Sequence, residues 1–225
     1  MIKQLNDNHK LIFICSPNNP NGGIVEEEII EYLLINSKGL VIVDEAYIDF
    51  SDSPSWIESL SKYKNLIVLQ TFSKSLGAAG IRLGMAFMDQ ELIFFLNKVK
   101  PPYNISAPNQ QAALLRLQSI EKLNSAIQNI VEQREKVRAA LDDMVMVEYV
   151  FPSSANFLLV KFKEASFVFD QLIKRKIIVR DRTNQRNCEG CLRITVSREE
   201  ENNLLLNALI EIGNMVEVNP LVSQI

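Results

Sequence analysis

The chain has 225 residues, of which 47% are hydrophobic and 23% are charged, and its formal net charge is −3 at pH 7. This length and composition allow one or two domains with a buried core. The small negative charge provides no basic field of the kind that binds nucleic acid. No apolar run is long enough to span a membrane, and the polar segment 1–10 is unlike a signal peptide. We therefore expect a cytoplasmic protein that binds neither nucleic acid nor membrane.

The cysteine pattern argues against metal or redox chemistry. Three cysteines are too few for a disulfide framework, although Cys188 and Cys191 have C-x-x-C spacing. A redox motif of this kind begins a helix, whereas this pair runs directly into the apolar segment 192–196. A zinc site would need two further ligands, and the only histidine, His9, is distant in sequence. We expect no metal site here.

Apolar runs alternate with helical patterns in the first half of the chain. Strands are predicted at 11–15, 40–47, 66–69 and 83–88, and helices at 26–36, 56–63, 89–99 and 108–118. Asp89 is the expected N-cap of the third helix. The segment 16–23 contains two prolines, three asparagines and two glycines, which favours turns. This alternation is typical of βαβ units, so we predict an α/β fold with a mostly parallel sheet.

The pattern changes after a long amphipathic helix predicted at 120–144. Short strands are predicted at 145–150, 156–161, 177–180 and 192–196, with helices at 165–176 and 197–212. The last helix would begin with a capping box formed by Ser197 and Glu200, and the tail 216–225 is expected to be irregular. We place a larger domain at 1–130 and a smaller α+β domain at 131–225.

Polar side chains follow successive predicted strands in the first half. Asn19 follows the first strand, Asp44 and Tyr47 follow the second, and Lys74 follows the third. Parallel strands have their carboxyl ends at one edge of the sheet, where α/β proteins bind ligands. A lysine amine can form a Schiff base with a carbonyl group. We expect these residues, together with Arg82, to lie close together.

Four motifs occur in order: Ser-Pro-Asn-Asn-Pro-Asn-Gly at 16–22, Val-Asp-Glu-Ala-Tyr at 43–47, Thr-Phe-Ser-Lys-x-x-Gly-x-x-Gly-x-Arg-x-Gly at 71–84, and Cys-Leu-Arg-Ile-Thr-Val at 191–196. With them, nearly the whole chain resembles the fold-type I pyridoxal-phosphate-dependent aminotransferases. The segments 43–50 and 100–106 favour the histidinol-phosphate branch. The resemblance implies that 1–130 is the C-terminal part of a large cofactor-binding domain and that 131–225 is the small domain.

The resemblance implies four roles at the reactive end of the cofactor. Lys74 would bind the cofactor aldehyde covalently and, once displaced by the substrate amine, would shuttle a proton. Asp44 would pair with the pyridine nitrogen and keep it protonated. Tyr47 and Asn19 would hydrogen-bond the oxygen at the 3′ position of the ring.

The resemblance also implies a set of residues for the cofactor phosphate, namely Ser73, Arg82 and Thr71. A guanidinium group offers a planar pair of donors that matches a phosphate oxyanion.

Three further residues would bind the substrate by the same resemblance. Arg193 would contact its anionic group, Arg180 would assist, and Asn156 would line the substrate side. Arg193 could instead face solvent on an edge strand, and Arg180 could belong to a charged loop with Asp181 and Arg182. Tyr47 could be a core aromatic residue whose hydroxyl is hydrogen-bonded.

The implied reaction is the exchange of an amino group between histidinol phosphate and 2-oxoglutarate, which belongs to histidine biosynthesis. The partners would be a small-molecule amino donor, a 2-oxo acid and a second copy in a homodimer. Threonine-phosphate decarboxylases and other amino-acid aminotransferases are the neighbouring alternatives. A silent domain of the same fold that binds a ligand or a partner is the alternative from another class.

The sequence departs from this family in two places. Asn21 stands where the family usually has threonine, and asparagine tolerates turns well. Relatives also carry roughly a hundred or more residues before the first strand, which corresponds to one sub-domain. We therefore expect a fragment with two unpaired sheet edges, weak cofactor binding and little turnover.

Overall fold

The protein divides into two compact units in a computed structural model that describes residues 5, 6 and 8–218. The first unit comprises Met1–Asn18 and Ile24–Ile127, and the second comprises Asn19–Gly23 and Gln128–Ile225. The boundary therefore lies inside a helix, and the turn segment 19–23 groups with the second unit. Among the helices of the described residues, none is long and apolar enough to cross a membrane.

The first unit is built on a four-stranded sheet in the order β1-β2-β3-β4. Its strands are β1 (Leu11–Cys15), β2 (Leu40–Asp44), β3 (Leu66–Thr71) and β4 (Gly84–Met88). Strands β1, β2 and β3 are parallel, and β4 is antiparallel to β3. The helices are α1 (Glu27–Asn36), α2 (Gln90–Val99) and α3 (Ala107–Leu117). The predicted α/β class is confirmed.

The two central strands are buried because their apolar side chains pack on both faces of the sheet. Val41, Val43, Leu66 and Val68 are fully buried on one face, in one cluster with the inner face of α1, and Ile42 and Ile67 are buried on the other face. In contrast, β1 is an edge strand on which Leu11 and Phe13 are exposed. The predicted N-cap at Asp89 is confirmed, since its Oδ1 accepts a hydrogen bond from Glu91 N at 2.9 Å.

The second unit contains an antiparallel sheet in the order β5-β6-β8-β7. Its strands are β5 (Val147–Val150), β6 (Phe157–Phe162), β7 (Arg180–Asp181) and β8 (Cys191–Thr195). Its helices are α5 (Ala165–Lys174), α6 (Glu199–Val218) and most of α4 (Ile120–Asp142). The core lies between these helices and one face of the sheet, and includes Leu158, Leu172, Leu192 and Leu209, which are fully buried.

Three local predictions for the second unit were wrong. The strand at 177–180 is reduced to Arg180–Asp181, because Lys176 has a φ of +62° and Ile177 N bonds to Leu172 O at the end of α5. The Ser197 hydroxyl pairs with Glu201 rather than Glu200. Helix α6 continues to Val218 instead of ending before an irregular tail. The rest of that predicted tail, 219–225, lies outside the described residues.

Candidate functional site

The carboxyl end of β2 carries Asp44, which lies between the two neighbouring strands β1 and β3. It pairs in register with Cys15 of β1 and Leu69 of β3. Its Oδ1 accepts a hydrogen bond from Ala46 N at 3.0 Å, and Cys15 Sγ donates weakly to Oδ2 at 4.0 Å. Burial and the nearby Asp44 charge together raise the pKa of the Cys15 thiol. The Asp44 carboxylate is therefore fixed at the sheet edge that the sequence predicts.

Lys74 follows β3 and faces the aromatic ring that follows β2. Its Nζ lies 5.1 Å from the centroid of the Tyr47 ring, and Tyr47 is buried. This is the distance of a cation–π contact. Within the described part of the chain, Lys74 forms no ion pair with a carboxylate. The Tyr47 ring thus positions the Lys74 side chain without an ion pair at Nζ, and this nitrogen is the atom that can react with a carbonyl group.

The turn that carries Lys74 is closed by its own backbone. Gly77 N donates to Lys74 O at 2.9 Å, and Ala78 N donates to Phe72 O at 2.9 Å. Thr71 Oγ1 accepts a hydrogen bond from Ser73 N at 3.1 Å. The Thr71 and Ser73 side chains therefore lie on the same tight turn as the lysine.

Helix α3 braces this turn from outside. Arg116 Nε donates to Leu76 O at 2.5 Å. Gly77 has a φ of +59°, and a Cβ added there would lie 2.8 Å from Arg116 Nη2. Glycine suits this position because a left-handed backbone strains a residue that has a Cβ, and the end of the Arg116 side chain would have to shift to make room for one. The motif pattern contains Gly77, but only the fold identifies Arg116 as its neighbour.

Arg82 lies at the start of the path into β4. It is exposed, has a φ of +51°, and donates from Nη1 to Ala79 O at 3.2 Å. The next residue, Leu83, accepts a hydrogen bond from Phe72 N at 3.1 Å, which keeps this segment beside the Lys74 turn. A non-glycine residue with left-handed φ is uncommon and marks a conformation held by its surroundings.

The second unit holds the remaining predicted residues. Arg193 Nη1 donates to Asn19 Oδ1 at 2.6 Å, and Arg193 Cζ lies 4.8 Å from the centroid of the Phe157 ring. Strand β8 lies between β6 and β7, so the alternative of an edge-strand Arg193 is wrong. Asn19 was predicted beside Asp44, Tyr47 and Lys74 and is found in hydrogen-bond contact with Arg193.

Arg180 lies opposite Arg193 in this sheet, whereas Asn156 lies just before β6, near the end of β8. Arg180 is exposed, belongs to β7 rather than to a loop, and pairs in register with Arg193. Directly opposite residues of antiparallel strands project to the same face, so two cationic residues share this face. Asn156 is half-buried, and its carbonyl oxygen accepts a hydrogen bond from Val196 N at 2.9 Å. This arrangement is suited to an anion.

Four neighbours of the site were missed by sequence reasoning: Glu45, Asp49, Ser75 and Arg116. Glu45 and Ser75 directly follow Asp44 and Lys74, Asp49 lies two residues after Tyr47, and Arg116 binds the turn that carries Lys74. For Glu45, Asp49 and Ser75, the sequence indicated a place near the site only through their positions one or two residues after Asp44, Tyr47 and Lys74.

Comparisons with known proteins show the family of this chain. A family model described as aminotransferase class I and II matches residues 1–209. A histidinol-phosphate aminotransferase of Flavobacterium johnsoniae is 44% identical over 209 residues, which are 93% of this chain and 60% of that protein. The chain thus spans about 60% of the length of the curated relatives that it matches.

Two solved structures have the same fold, and each aligns with most of this chain. The crystal structure of a histidinol-phosphate aminotransferase from Clostridium acetobutylicum has a TM-score of 0.85 at 25% identity, covering 93% of this chain and 65% of that one. A histidinol-phosphate aminotransferase from Sinorhizobium meliloti, in complex with pyridoxal-5'-phosphate, has a TM-score of 0.83 at 27% identity, covering 93% and 59%. The likeness extends over both units.

Proposed function

Because the chain belongs to the aminotransferase class I and II family, we propose that it acts in pyridoxal-phosphate-dependent transfer of an amino group from histidinol phosphate to 2-oxoglutarate. The observation that carries the proposal is the placement of Lys74 Nζ 5.1 Å from the Tyr47 ring centroid. The carboxylate of Asp44 ends the same strand that leads into Tyr47. The names of the relatives support histidinol phosphate as the amino donor.

The side chains of the first unit fit pyridoxal phosphate by their chemistry. Lys74 is an amine without an ion pair among the described residues, which suits a covalent bond to an aldehyde. Asp44 supplies a fixed carboxylate for the ring nitrogen, and Tyr47 supplies a phenol for the ring oxygen. The phosphate would be held by hydroxyl and guanidinium groups on the Lys74 turn and the segment after it: Thr71, Ser73 and Arg82.

The bound cofactor supplies an electron sink that stabilises negative charge on the carbon bearing the substrate amino group. Lys74 Nζ would take the proton from that carbon and deliver it to the cofactor carbon that receives the amino group, and would reverse this transfer with the 2-oxo acid. The Tyr47 ring limits where the Lys74 side chain can lie, since Nζ faces this ring at 5.1 Å from its centroid. Asp44 would hold a proton on the ring nitrogen through its negative charge.

The second unit would bind the anionic part of the substrates. We assign this role to Arg193, with Arg180 opposite it and Asn156 near the end of the same strand. The contact between Arg193 Nη1 and Asn19 Oδ1 at 2.6 Å supports a preset guanidinium orientation. A planar guanidinium group can bind either the phosphate of histidinol phosphate or a carboxylate of glutamate in a bidentate manner.

We also propose that two copies associate. Helix α2 exposes a row of large apolar side chains in the first unit: Ile93, Phe94, Phe95, Leu96 and Val99. An apolar surface of this kind supports a protein–protein contact.

The experiment that tests the proposed function is covalent trapping. Pyridoxal phosphate is added to the purified chain, the absorption of the lysine adduct is followed, and borohydride reduction is followed by peptide mass spectrometry. We expect the adduct at Lys74, lost in Lys74→Ala and kept in the control Lys64→Ala, which changes an exposed lysine. Adducts scattered over several lysines would contradict the proposal. Amino transfer is then measured with histidinol phosphate, and release of carbon dioxide with threonine phosphate would instead favour the decarboxylase.

A further inference from the structure

Two side-chain hydrogen bonds join the turn after β2 to β3 and to the turn that follows it. Glu45 Oε2 accepts a hydrogen bond from Gln70 Nε2 at 3.0 Å, at the end of β3. The carboxylate of Asp49 accepts a hydrogen bond from the hydroxyl of Ser75. We call these two bonds the carboxylate clasp. Both lie within the first unit, and together they connect the segment that carries Asp44 to the segment that carries the lysine.

Glu45 is the buried member of the clasp, with an exposed fraction of 1%. Besides Gln70, it accepts hydrogen bonds from Trp56 N at 2.7 Å and from Ser55 Oγ at 2.6 Å. A buried carboxylate is costly unless its oxygens are hydrogen-bonded, and three donors satisfy this one. Glu45 immediately follows Asp44, so its anchoring restricts the backbone of the candidate site.

Ser75 and Asp49 form the outer member of the clasp. Ser75 directly follows Lys74 and is 9% exposed. Asp49 lies in the short helical turn Ile48–Phe50, two residues after Tyr47. The two bonds of the clasp therefore lie on either side of the contact between Lys74 and Tyr47.

We propose that Glu45 and Asp49 are positioning residues that hold Lys74 against Tyr47 and beside Asp44. This inference rests on the proposed function for the role of Lys74, but the clasp itself is a property of the chain alone. Neither carboxylate has a role in the chemistry assigned above. Each acts through a neighbour in the chain, since Glu45 fixes the residue before it and Asp49 fixes the residue after Lys74.

A lysine side chain has many rotamers, and this rotamer freedom must be lost before Nζ can react with one particular atom. Ordering a lysine side chain costs up to about 2 kcal/mol in conformational entropy. A turn that is already fixed at Ser75 places the Cα of Lys74 in advance, so less ordering remains to be done when a carbonyl arrives. Loss of the clasp is therefore expected to lower the reactivity of Lys74 more than it lowers global stability.

The test compares Ser75→Ala, which removes the hydroxyl donor, with Ser75→Thr, which keeps it. The control is Asp52→Asn, a charge change at an exposed residue of the same connection. The probe is pyridoxal phosphate at limiting concentration, with borohydride reduction, and the readout is the fraction of adduct at Lys74. A second readout that needs no cofactor is hydrogen exchange of the Gly77 and Ala78 amides, which close the turn.

We expect Ser75→Ala to lower the Lys74 fraction about tenfold, which is the order expected for losing one hydrogen bond to a charged group. The same variant should speed exchange at the two amides, while Ser75→Thr and Asp52→Asn leave both readouts near the wild-type values. Glu45→Gln should act in the same direction, but it can also lower the folded fraction, so the Ser75 series decides.

Unchanged exchange and unchanged labelling in Ser75→Ala, with only a lower melting temperature, would overturn the proposal. If the wild-type chain shows no preference for Lys74, the proposed function fails. The exchange rates of the Ser75 series still show in that case whether the clasp holds the turn.

Discussion

Asn19 and Arg193 are 174 residues apart in the sequence, and Arg193 Nη1 donates a hydrogen bond to Asn19 Oδ1 at 2.6 Å. The guanidinium group also lies 4.8 Å from the centroid of the buried Phe157 ring. Strand β8 therefore contacts the turn residue Asn19 through the guanidinium group of Arg193. This contact orients the residue that we assign to anion binding.

Replacing Arg193 by lysine should weaken the binding of an anion such as inorganic phosphate or histidinol phosphate. Lysine keeps the charge but loses the planar pair of donors and the stacking on Phe157. We expect the dissociation constant to rise about tenfold, on the order of one bidentate contact, as measured by isothermal titration calorimetry. The matched control is Arg186→Lys, an exposed arginine of the same unit. An equal loss of affinity in both variants would contradict the assignment of anion binding to Arg193.

Gly77→Ala should destabilise the turn that carries Lys74. The residue has a φ of +59°, and an added Cβ would lie 2.8 Å from Arg116 Nη2. We expect a loss of about 1–2 kcal/mol in the free energy of unfolding, measured by urea denaturation. Gly80→Ala provides the control, because a Cβ there meets no atom within 4 Å. The steric explanation fails if the two variants have the same stability.

Leu192→Ala should open a cavity in the second unit. Leu192 is 0% exposed and packs in the core between the sheet and its helices. Substitutions of this type cost about 2–5 kcal/mol, because the apolar contacts are lost and the surroundings relax only partly. The comparison is Ile178→Ala in the same unit, where the side chain is 79% exposed and the expected change is within about 0.5 kcal/mol. Urea unfolding followed by circular dichroism measures both.

The three thiols should differ in alkylation by iodoacetamide. Cys15 is exposed, whereas Cys188 and Cys191 are buried. Burial, with a smaller contribution from Cys188, raises the pKa of Cys191 to about 11. The thiolate is the reactive form, so a raised pKa slows alkylation at neutral pH and the rate should climb as pH rises towards that value. We expect Cys15 to react first at pH 8, and all three to react in urea. Early labelling of Cys191 in the native chain would contradict this order.

Asp44→Asn should speed the alkylation of Cys15. The Asp44 carboxylate lies 4.0 Å from Cys15 Sγ and contributes, after burial, to the raised pKa of this thiol. Removing the negative charge lowers the pKa, so more thiolate is present at pH 8. Rates of mass increase for this variant and for Asp52→Asn measure the effect, and the second variant should match the wild type. A rate that is unchanged in Asp44→Asn would mean that burial alone sets this pKa.

Local sequence patterns were enough to predict most elements of the fold. The apolar runs at Leu40–Asp44 and Leu66–Thr71 became buried parallel strands, and Asp89 capped its helix as expected. The strand Gly84–Met88 was also predicted, but its antiparallel direction was not. Apolar side chains have the same spacing in either direction, so only pairing with β3 decides the orientation.

The chemistry of the candidate site was predicted from residue type and chain position. A lysine, a carboxylate and a tyrosine after adjacent parallel strands must lie near one edge of the sheet, and Lys74 does lie over Tyr47. Sequence order alone could not indicate that Asn19 contacts Arg193, because residues 174 positions apart meet only through folding. For the same reason, the sequence does not distinguish Glu45 from a surface carboxylate. The structure shows that Ser55, Trp56 and Gln70 donate hydrogen bonds to it. The sequence by itself therefore determined most of the secondary structure and the set of reactive groups. The tertiary structure alone decided which of these groups are buried, paired and held in place, because burial and hydrogen-bond partners come from segments that are distant in the chain.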